Sequence, residues 1–311
     1  MSFMDQWDHL ILFQSAEYTQ RYLKARYEAS DFSQSAAKSY ENCYAFMYYL
    51  EHGEAYYRQA VQAPVSIQPV LIFYGFIHLL KACLLSCDPL YPETTSVLAH
   101  GVTSRKKKKQ NYRFGEDEVK IQKTGLCGHF AHKMFGLGPL EGNKYTMQSL
   151  LRQIPELETA FPRRKYFLPV EEKNGKYRLP FAVLDGYHMT AGRFSQYLSE
   201  KLQDRLLEME AEEDAFSFSA RGCLPPPFRY HFFTNQIYFP YKLQPENDLP
   251  DILVHYLLLY NLSMISRYET EWWAELLKNR ETIDFPAIRL FLQTAIEKGP
   301  FLCLQFLNGR Q

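Results

Sequence analysis

The chain has 311 residues, enough for one large domain or two, and 46% of them are hydrophobic while 23% are charged. Its 35 basic and 35 acidic residues cancel, which argues against a protein that binds nucleic acid non-specifically over a strongly basic surface. The 23 tyrosines and 23 phenylalanines predict a core threaded with hydroxyl groups, or a surface on which flat ligands stack.

Cysteine usage and hydropathy together predict a cytoplasmic protein. The six cysteines are spread along the chain, mostly in apolar stretches, as expected for reduced core thiols. The first ten residues lack the basic and apolar regions of a signal peptide. The stretch Pro69–Cys87 is about long enough to cross a bilayer, but His78 and Lys81 would be costly there. We therefore expect a buried helix and no membrane association.

Residues 1–90 are predicted to be entirely helical. The first helix is Ser15–Ala29 with Ser15 as its N-cap, and a longer one spans Ser35 to about Gln62. The third, Ser66–Cys87, is predicted to be capped by Ser66. It is apolar on almost every side, which a surface helix cannot be.

Residues 91–247 are predicted to mix helix and strand around a small antiparallel sheet. The run Arg105–Lys109 and the acids that follow it indicate an exposed loop or hairpin. The remaining predicted elements are a strand near Val119–Lys123, a strand Tyr177–Leu184, a helix from Thr190 to about Glu210, and two strands within Phe228–Leu243.

Residues 248–311 return to helix. A nearly all-apolar helix covers Asp251–Arg267, and a final amphipathic helix is predicted to begin at Asp284 and to end before Gly299-Pro300. The fold class is therefore α+β and predominantly α-helical, with the N- and C-terminal helices packed together. The three sections can equally form one domain.

The two apolar helices carry polar residues at matching intervals. On the first, Tyr74, His78 and Lys81 follow i, i+4, i+7 spacing and share one face. On the second, the same spacing extends to i+11 and gives Tyr256, Tyr260, Ser263 and Arg267.

These stripes allow two interpretations. Buried charges must be paired or must face a cleft, so Lys81 and Arg267 either reach water or an acid separately, or line one cleft together. A shared cleft would suit phosphates or carboxylates, and hence a nucleotide.

His100-Gly101 and the basic run extend this hypothesis. A run of cations is usually a solvated loop, but it can also contact phosphate or RNA, and an imidazole beside it can bind or act on a phosphate. The anion-binding candidates are Tyr74, His78, Lys81, His100, Arg105, Tyr260, Ser263 and Arg267.

No metal or cofactor is predicted. Cys127, His129 and His132 are metal-ligand types, but they lack a fourth ligand nearby and match no zinc-site spacing. The phosphate-binding loop, dinucleotide fingerprint, nucleophile elbow and zinc-protease motifs are all missing from the sequence.

Four segments resemble the YaaC-like proteins of Bacillus and its relatives over nearly the whole chain, although the resemblance carries little functional information. They are SYENCYAFMYYLEHG (Ser39–Gly53), QPVLIFYGFIHLLKACLL (Gln68–Leu85), LAHGVTSRKKKKQ (Leu98–Gln110) and LSMISRYETEWW (Leu262–Trp273).

More distantly, the Tyr-Gly…Leu…Lys-Ala pattern with a following His-Gly turn is similar to helical HEPN domains, some of which are metal-independent ribonucleases. Their signature, an arginine followed four to six residues later by histidine, occurs at none of the nine histidines here. That departure favours a binding role over RNA cleavage.

The leading hypothesis is a cytosolic, non-catalytic protein that binds a nucleotide, RNA or a protein partner. The alternatives are a metal-independent ribonuclease or phosphodiesterase that uses His100, with Lys81 or Arg267 stabilising charge, and a purely structural interaction module. The oligomeric state is left open, and a homo-oligomer is compatible with the sequence.

Overall fold

The computed structural model describes residues 3–105, 113–161, 165–280 and 282–309. The helices within those ranges are α1 (Phe3–Asp8), α2 (Ala16–Ala29), α3 (Ser35–Gln62), α4 (Gln68–Cys87), α5 (Leu126–Phe135), α6 (Met147–Leu151), α7 (Ala182–Tyr187), α8 (Ala191–Leu202), α9 (Asp251–Tyr268), α10 (Thr270–Asn279) and α11 (Asp284–Leu307). The fold is thus predominantly helical, as expected.

The strands form two antiparallel sheets. They are β1 (Val102–Arg105), β2 (Glu118–Ile121), β3 (Lys144–Thr146), β4 (Phe167–Lys173), β5 (Lys176–Pro180), β6 (Leu206–Ala211), β7 (Ala215–Ala220), β8 (Arg229–His231) and β9 (Gln236–Pro240). The first three make one sheet in the order β1-β2-β3, and the others make a second in the order β6-β7-β5-β4-β9-β8. The expected small sheet is therefore two sheets.

Helix α4 lies at the centre of the larger hydrophobic core. It packs against α3, α5, α9 and α11. The same core also contains buried side chains of the segment from Val102 to Ala160. It is the one described helix long and apolar enough to cross a membrane, but 67% of its most apolar window is buried inside the fold. Burial of this kind is expected of a core helix in a soluble protein.

Two glycines allow α3 to lie unusually close to α4. A Cβ atom on Gly53 would stand 2.6 Å from Leu79 Cδ2, and one on Gly75 would stand 2.8 Å from Tyr57 Cδ2. Real side chains do not tolerate such distances. Gly53 therefore remains inside an unbroken α3, where close helix contact outweighs its low helix propensity of about 1 kcal/mol.

The six-stranded sheet has its own, smaller core. Its apolar face packs against α7 and α8 through Phe194, Phe216, Phe228 and Phe239, whose rings contact one another edge-on or tilted. The buried apolar side chains of this second core, from Leu168 to Phe239, thus form a cluster separate from the helical core.

Several predicted boundaries are confirmed. Ser15 caps α2 by accepting a hydrogen bond from the Tyr18 amide, and Thr190 caps α8 in the same way through Arg193. Helix α9 and the strand pair β8-β9 also lie where the sequence placed them.

Other boundaries are corrected. The central helix starts at Gln68 without a side-chain cap, because Ile67 occupies the N-cap position and Ser66 lies one residue before it. The Ser66 carbonyl instead accepts a hydrogen bond from the Trp273 indole N–H at 2.9 Å. Helix α11 continues through Pro300 to Leu307, since buried side chains on both sides of that turn outweigh the missing backbone hydrogen bond.

Two further corrections lie in the second core. The strand predicted as Tyr177–Leu184 ends at Pro180, and α7 follows it. The helix predicted to reach Glu210 ends at Leu202, because Leu206–Ala211 pairs with β7 as an edge strand of the sheet. Helices α5 and α10 were not predicted.

A buried ionic cluster joins the two cores. The Lys298 ammonium lies 3.1 Å from both Glu156 Oε1 and Asp251 Oδ2, and the Arg229 guanidinium lies 2.6 Å from Asp251 Oδ1. Lys298 and Arg229 side chains are fully buried. Burial alone would raise the pKa of Asp251, but Lys298 and Arg229 lower it to about 2, so Asp251 stays charged beside these two cations.

Backbone groups complete this ionic cluster. Arg229 donates to the carbonyls of Leu249 and Asn247, at 2.7 and 3.0 Å. Lys298 donates to the carbonyl of Tyr230 at 2.6 Å. Since β8 belongs to the sheet while Asp251 and Lys298 lie on α9 and α11, these bonds set how the sheet sits on the helices.

Replacing Lys298 with methionine should destabilise the protein by about 3–5 kcal/mol, because two buried carboxylates lose a cation. The free energy of unfolding in urea measures this loss. Lys201→Met is the control, since its pair with Asp248 is at the surface and worth about 0–1 kcal/mol. Equal losses in the two variants would contradict the structural role of the cluster.

Candidate functional site

The polar stripes of α4 and α9 face each other where the two helices pack. Tyr256 is fully buried, and its hydroxyl donates to the carbonyl of His100 at 2.9 Å. This bond places the loop that follows α4 against both helices. The stripes and the His100-Gly101 turn therefore meet at one place.

Arg267 and Tyr74 connect the stripes directly. The Arg267 Nη1 group donates to the Tyr74 hydroxyl at 3.2 Å, and the guanidinium carbon lies 5.7 Å from the centre of the Tyr74 ring. The Nε group of Arg267 donates to the carbonyl of Ser263 at 3.0 Å, which fixes the direction of the side chain. Arg267 is half-buried, so part of its charge remains accessible.

The His100 imidazole lies between aromatic rings of both helices. Its ring centre is 5.1 Å from that of Phe73, 6.3 Å from that of Tyr74 and 5.7 Å from that of Tyr260. Its side chain is partly exposed. It is thus held in a fixed orientation by apolar contacts on several sides.

Helix α3 adds a third wall through Tyr49, His52 and Tyr56, which share one face at i, i+3, i+7 spacing. The Tyr56 ring stacks on the His78 imidazole at 5.6 Å and on the Tyr74 ring at 6.1 Å. The Tyr49 ring lies 5.6 Å from the Lys81 ammonium.

We call this surface the aromatic seam. Its members are rings or cations from α3, α4, α9 and the loop before β1, and they are Tyr49, His52, Tyr56, Tyr74, His78, Lys81, His100, Tyr260 and Arg267.

The two cations of the seam have no carboxylate partner in the described part of the chain. Among the residues that the structure describes, no acidic oxygen lies within 4 Å of Lys81 or Arg267. Lys81 is half-buried, and that burial lowers its pKa. Among the described residues, the seam thus carries two cations, one beside Tyr49 and one beside Tyr74, without a carboxylate at ion-pair distance.

Two of the three histidines of the seam, His78 and His100, have lowered pKa values. Burial, then Lys81 and then His52 lower the pKa of His78 to about 4. The pKa of His100 is also lowered, mainly by burial and to a smaller extent by the nearby charges of Arg267 and Lys81. The Nδ1 atom of His78 is buried without a hydrogen-bond partner, so a polar group of a ligand could satisfy it.

The structure brings together six of the eight candidates from the sequence: Tyr74, His78, Lys81, His100, Tyr260 and Arg267. Ser263 is fully buried, and its hydroxyl donates to the carbonyl of Tyr260 at 2.8 Å, which encloses it within α9. Arg105 ends β1 opposite Glu118, but its side chain and residues 106–112 lie outside the described part.

Sequence reasoning missed the wall that α3 provides. Tyr40, Tyr44 and Tyr48 of the same helix are exposed by 71%, 55% and 55% and lie on another face. The i, i+3, i+7 spacing of Tyr49, His52 and Tyr56 was the available signal, but tyrosines on several faces of α3 obscured it.

The cysteine and histidines of α5 have structural roles. Cys127 is buried, while His129 Nε2 lies 2.8 Å from Asp88 Oδ2, the carboxylate that Lys133 also approaches at 3.5 Å. Nowhere in the described ranges do three His, Cys, Asp or Glu side chains come together as a metal-binding group.

Comparison with protein-family models identifies the family of this chain. The model for the YaaC-like protein family matches residues 11–307. The chain is a member of the YaaC-like family. A search of curated proteins and a search of solved structures each found no match.

The pKa of His78 in this YaaC-like chain predicts a pH-dependent stability. Between about pH 6.5, the value of a free histidine, and pH 4, the unfolded chain binds more protons than the folded one. The free energy of unfolding should therefore fall as the pH is lowered through that window. Urea unfolding at several pH values measures the slope.

His78→Gln should flatten that slope, since glutamine does not titrate. His132→Gln, which removes an exposed imidazole from α5, is the matched control. An NMR titration in which the His78 ring protonates near pH 6.5 in the folded protein would contradict the lowered pKa.

Proposed function

We propose that this YaaC-like chain is a cytosolic, non-catalytic binding protein whose aromatic seam takes a nucleotide, either free or within RNA. One observation carries the proposal: Lys81 and Arg267 lie beside stacked aromatic rings and neutral imidazoles, with no described carboxylate within 4 Å of either cation.

The charge of the seam suits a phosphate group. Arg267 donates to the Tyr74 hydroxyl, the Ser263 carbonyl and, through Nη2, the Met264 sulfur, which is only a weak acceptor. A phosphate is a stronger acceptor for this guanidinium. Lys81 offers three donors on a flexible stem, and neither cation has a carboxylate partner among the described residues.

The rings of the seam suit a nucleobase. Tyr56, His78 and Tyr74 form a stack with interplanar angles of 17° and 27°, and Tyr56 is partly exposed. Stacking of a base on an aromatic side chain contributes about 1–3 kcal/mol and tolerates different bases. The unpartnered His78 Nδ1 is an acceptor or donor for a base edge, depending on its tautomer.

The neutral state of His100 supports a second candidate, metal-independent cleavage of a phosphodiester. A neutral imidazole can remove a proton from a ribose hydroxyl, and Lys81 and Arg267 would stabilise negative charge on the phosphate. The missing arginine-to-histidine signature makes this the weaker candidate.

Adenosine 5′-monophosphate and a short oligoadenylate are the probes for the binding proposal. A ligand present at about 100 times its Kd should add about 2.7 kcal/mol to the free energy of unfolding. A thermal-shift assay on the full chain measures this. The Lys81→Gln, Arg267→Gln double variant should lose the shift, because it removes both phosphate donors.

Lys278→Gln with Arg289→Gln is the matched control, since it removes the same charges from exposed positions on α10 and α11. Its shift should equal that of the natural sequence. A seam variant that keeps the full shift would contradict nucleotide binding at the seam, and no shift with either probe would favour a protein-interaction module.

The cleavage candidate has its own test, incubation of labelled RNA with the protein in the presence of a metal chelator. Cleavage should disappear in His100→Ala, because that variant lacks the proton acceptor. RNA cleavage that survives this substitution would remove the candidate, and stable binding without cleavage would support the leading proposal.

A further inference from the structure

A cavity of about 400 Å³ opens where the helical core meets the six-stranded sheet, away from the aromatic seam. Its walls come from the end of α6, the segment before β4, the end of β9 and the residues that follow β9. The lining residues are Arg152, Gln153, Lys165, Tyr166, Pro240, Tyr241, Lys242, Gln244 and Asn247. This volume lies within the range of about 300–1,000 Å³ typical of small-molecule sites.

The charges around this cavity are of one sign. Arg152, Lys165 and Lys242 line it, and no aspartate or glutamate among the described residues does. Within the described ranges, none of these three cations has a carboxylate oxygen within 4 Å. Glu158, which lies between Arg152 and Lys165 in the sequence, instead accepts hydrogen bonds from the backbone amides of Tyr166 and Phe167 at 3.1 and 3.3 Å.

Arg152 is held at the wall with hydrogen-bonding capacity to spare. Its guanidinium carbon lies 5.2 Å from the centre of the Tyr166 ring, and its Nε group is buried without a hydrogen-bond partner. An N–H group that is buried and unpaired costs free energy unless a ligand or water accepts from it. An anion in the cavity would supply that acceptor.

The backbone of the cavity walls is held in place by hydrogen bonds within the protein. The Tyr241 amide donates to the Tyr166 carbonyl at 2.7 Å, and the Asn247 side chain donates to the Lys242 carbonyl at 2.7 Å. Gln153 is buried and accepts from Arg229 of the ionic cluster at 3.2 Å. Such a preformed site loses little conformational entropy when it binds.

We propose that this cavity is a second binding site, for a small organic anion that carries a phosphate or carboxylate group. The cations would hold the anionic group. The rings of Tyr166 and Tyr241, together with Pro240, would contact the body of the ligand. This site is independent of the nucleotide proposed for the aromatic seam.

Isothermal titration calorimetry of the full chain with pyrophosphate and, separately, with citrate tests the proposal. Tighter binding of pyrophosphate would identify a phosphate ligand, and tighter binding of citrate a carboxylate ligand. The Lys165→Gln, Lys242→Gln double variant should bind the preferred probe at least about tenfold more weakly. Both lysines are exposed, so the fold should survive.

Two controls separate this cavity from the rest of the surface. Lys123→Gln with Lys173→Gln removes two exposed lysines elsewhere and should leave the affinity unchanged. The seam variant, Lys81→Gln with Arg267→Gln, should also bind the probe as the natural chain does. Unaltered affinity in the cavity variant, lost affinity in the seam variant, or no binding of either probe would each overturn the proposal.

Discussion

Burial of α4 on every side is the constraint on which the rest of the structure depends. An apolar helix of 20 residues can be covered only by several partners, and here α3, α5, α9 and α11 surround it. Its Tyr74, His78 and Lys81 side chains lie at the junction with α3 and α9. The aromatic seam is therefore a consequence of how the core is covered, and the polar residues of α4 collect where that cover is incomplete.

Much of the seam was predictable because its spacing is local. Tyr74, His78 and Lys81 share a face by helical periodicity alone, and Tyr260 and Arg267 do so on α9. That these faces meet followed from the need of two apolar helices for a common core. The contribution of α3 was not predictable in this way, since tyrosines on several of its faces give no single direction.

The buried ionic cluster marks the opposite limit. Glu156, Arg229, Asp251 and Lys298 come from four separate segments, and nothing in their local sequence shows that they meet. The predicted helix end at Gly299-Pro300 was wrong for a related reason. The local pattern is typical of a helix end, but burial of the side chains that follow it continues α11 to Leu307. Local rules describe single elements well, and contacts between distant elements decide the remainder.

Helix α9 contributes side chains to both the ionic cluster and the aromatic seam. Its first residue, Asp251, belongs to the ionic cluster that seats the sheet, and Arg267 in its last turn belongs to the seam. With 18 residues it is a rod about 27 Å long. Because α9 is one unbroken helix buried in the core, it fixes the distance and the direction between the ionic cluster and Arg267.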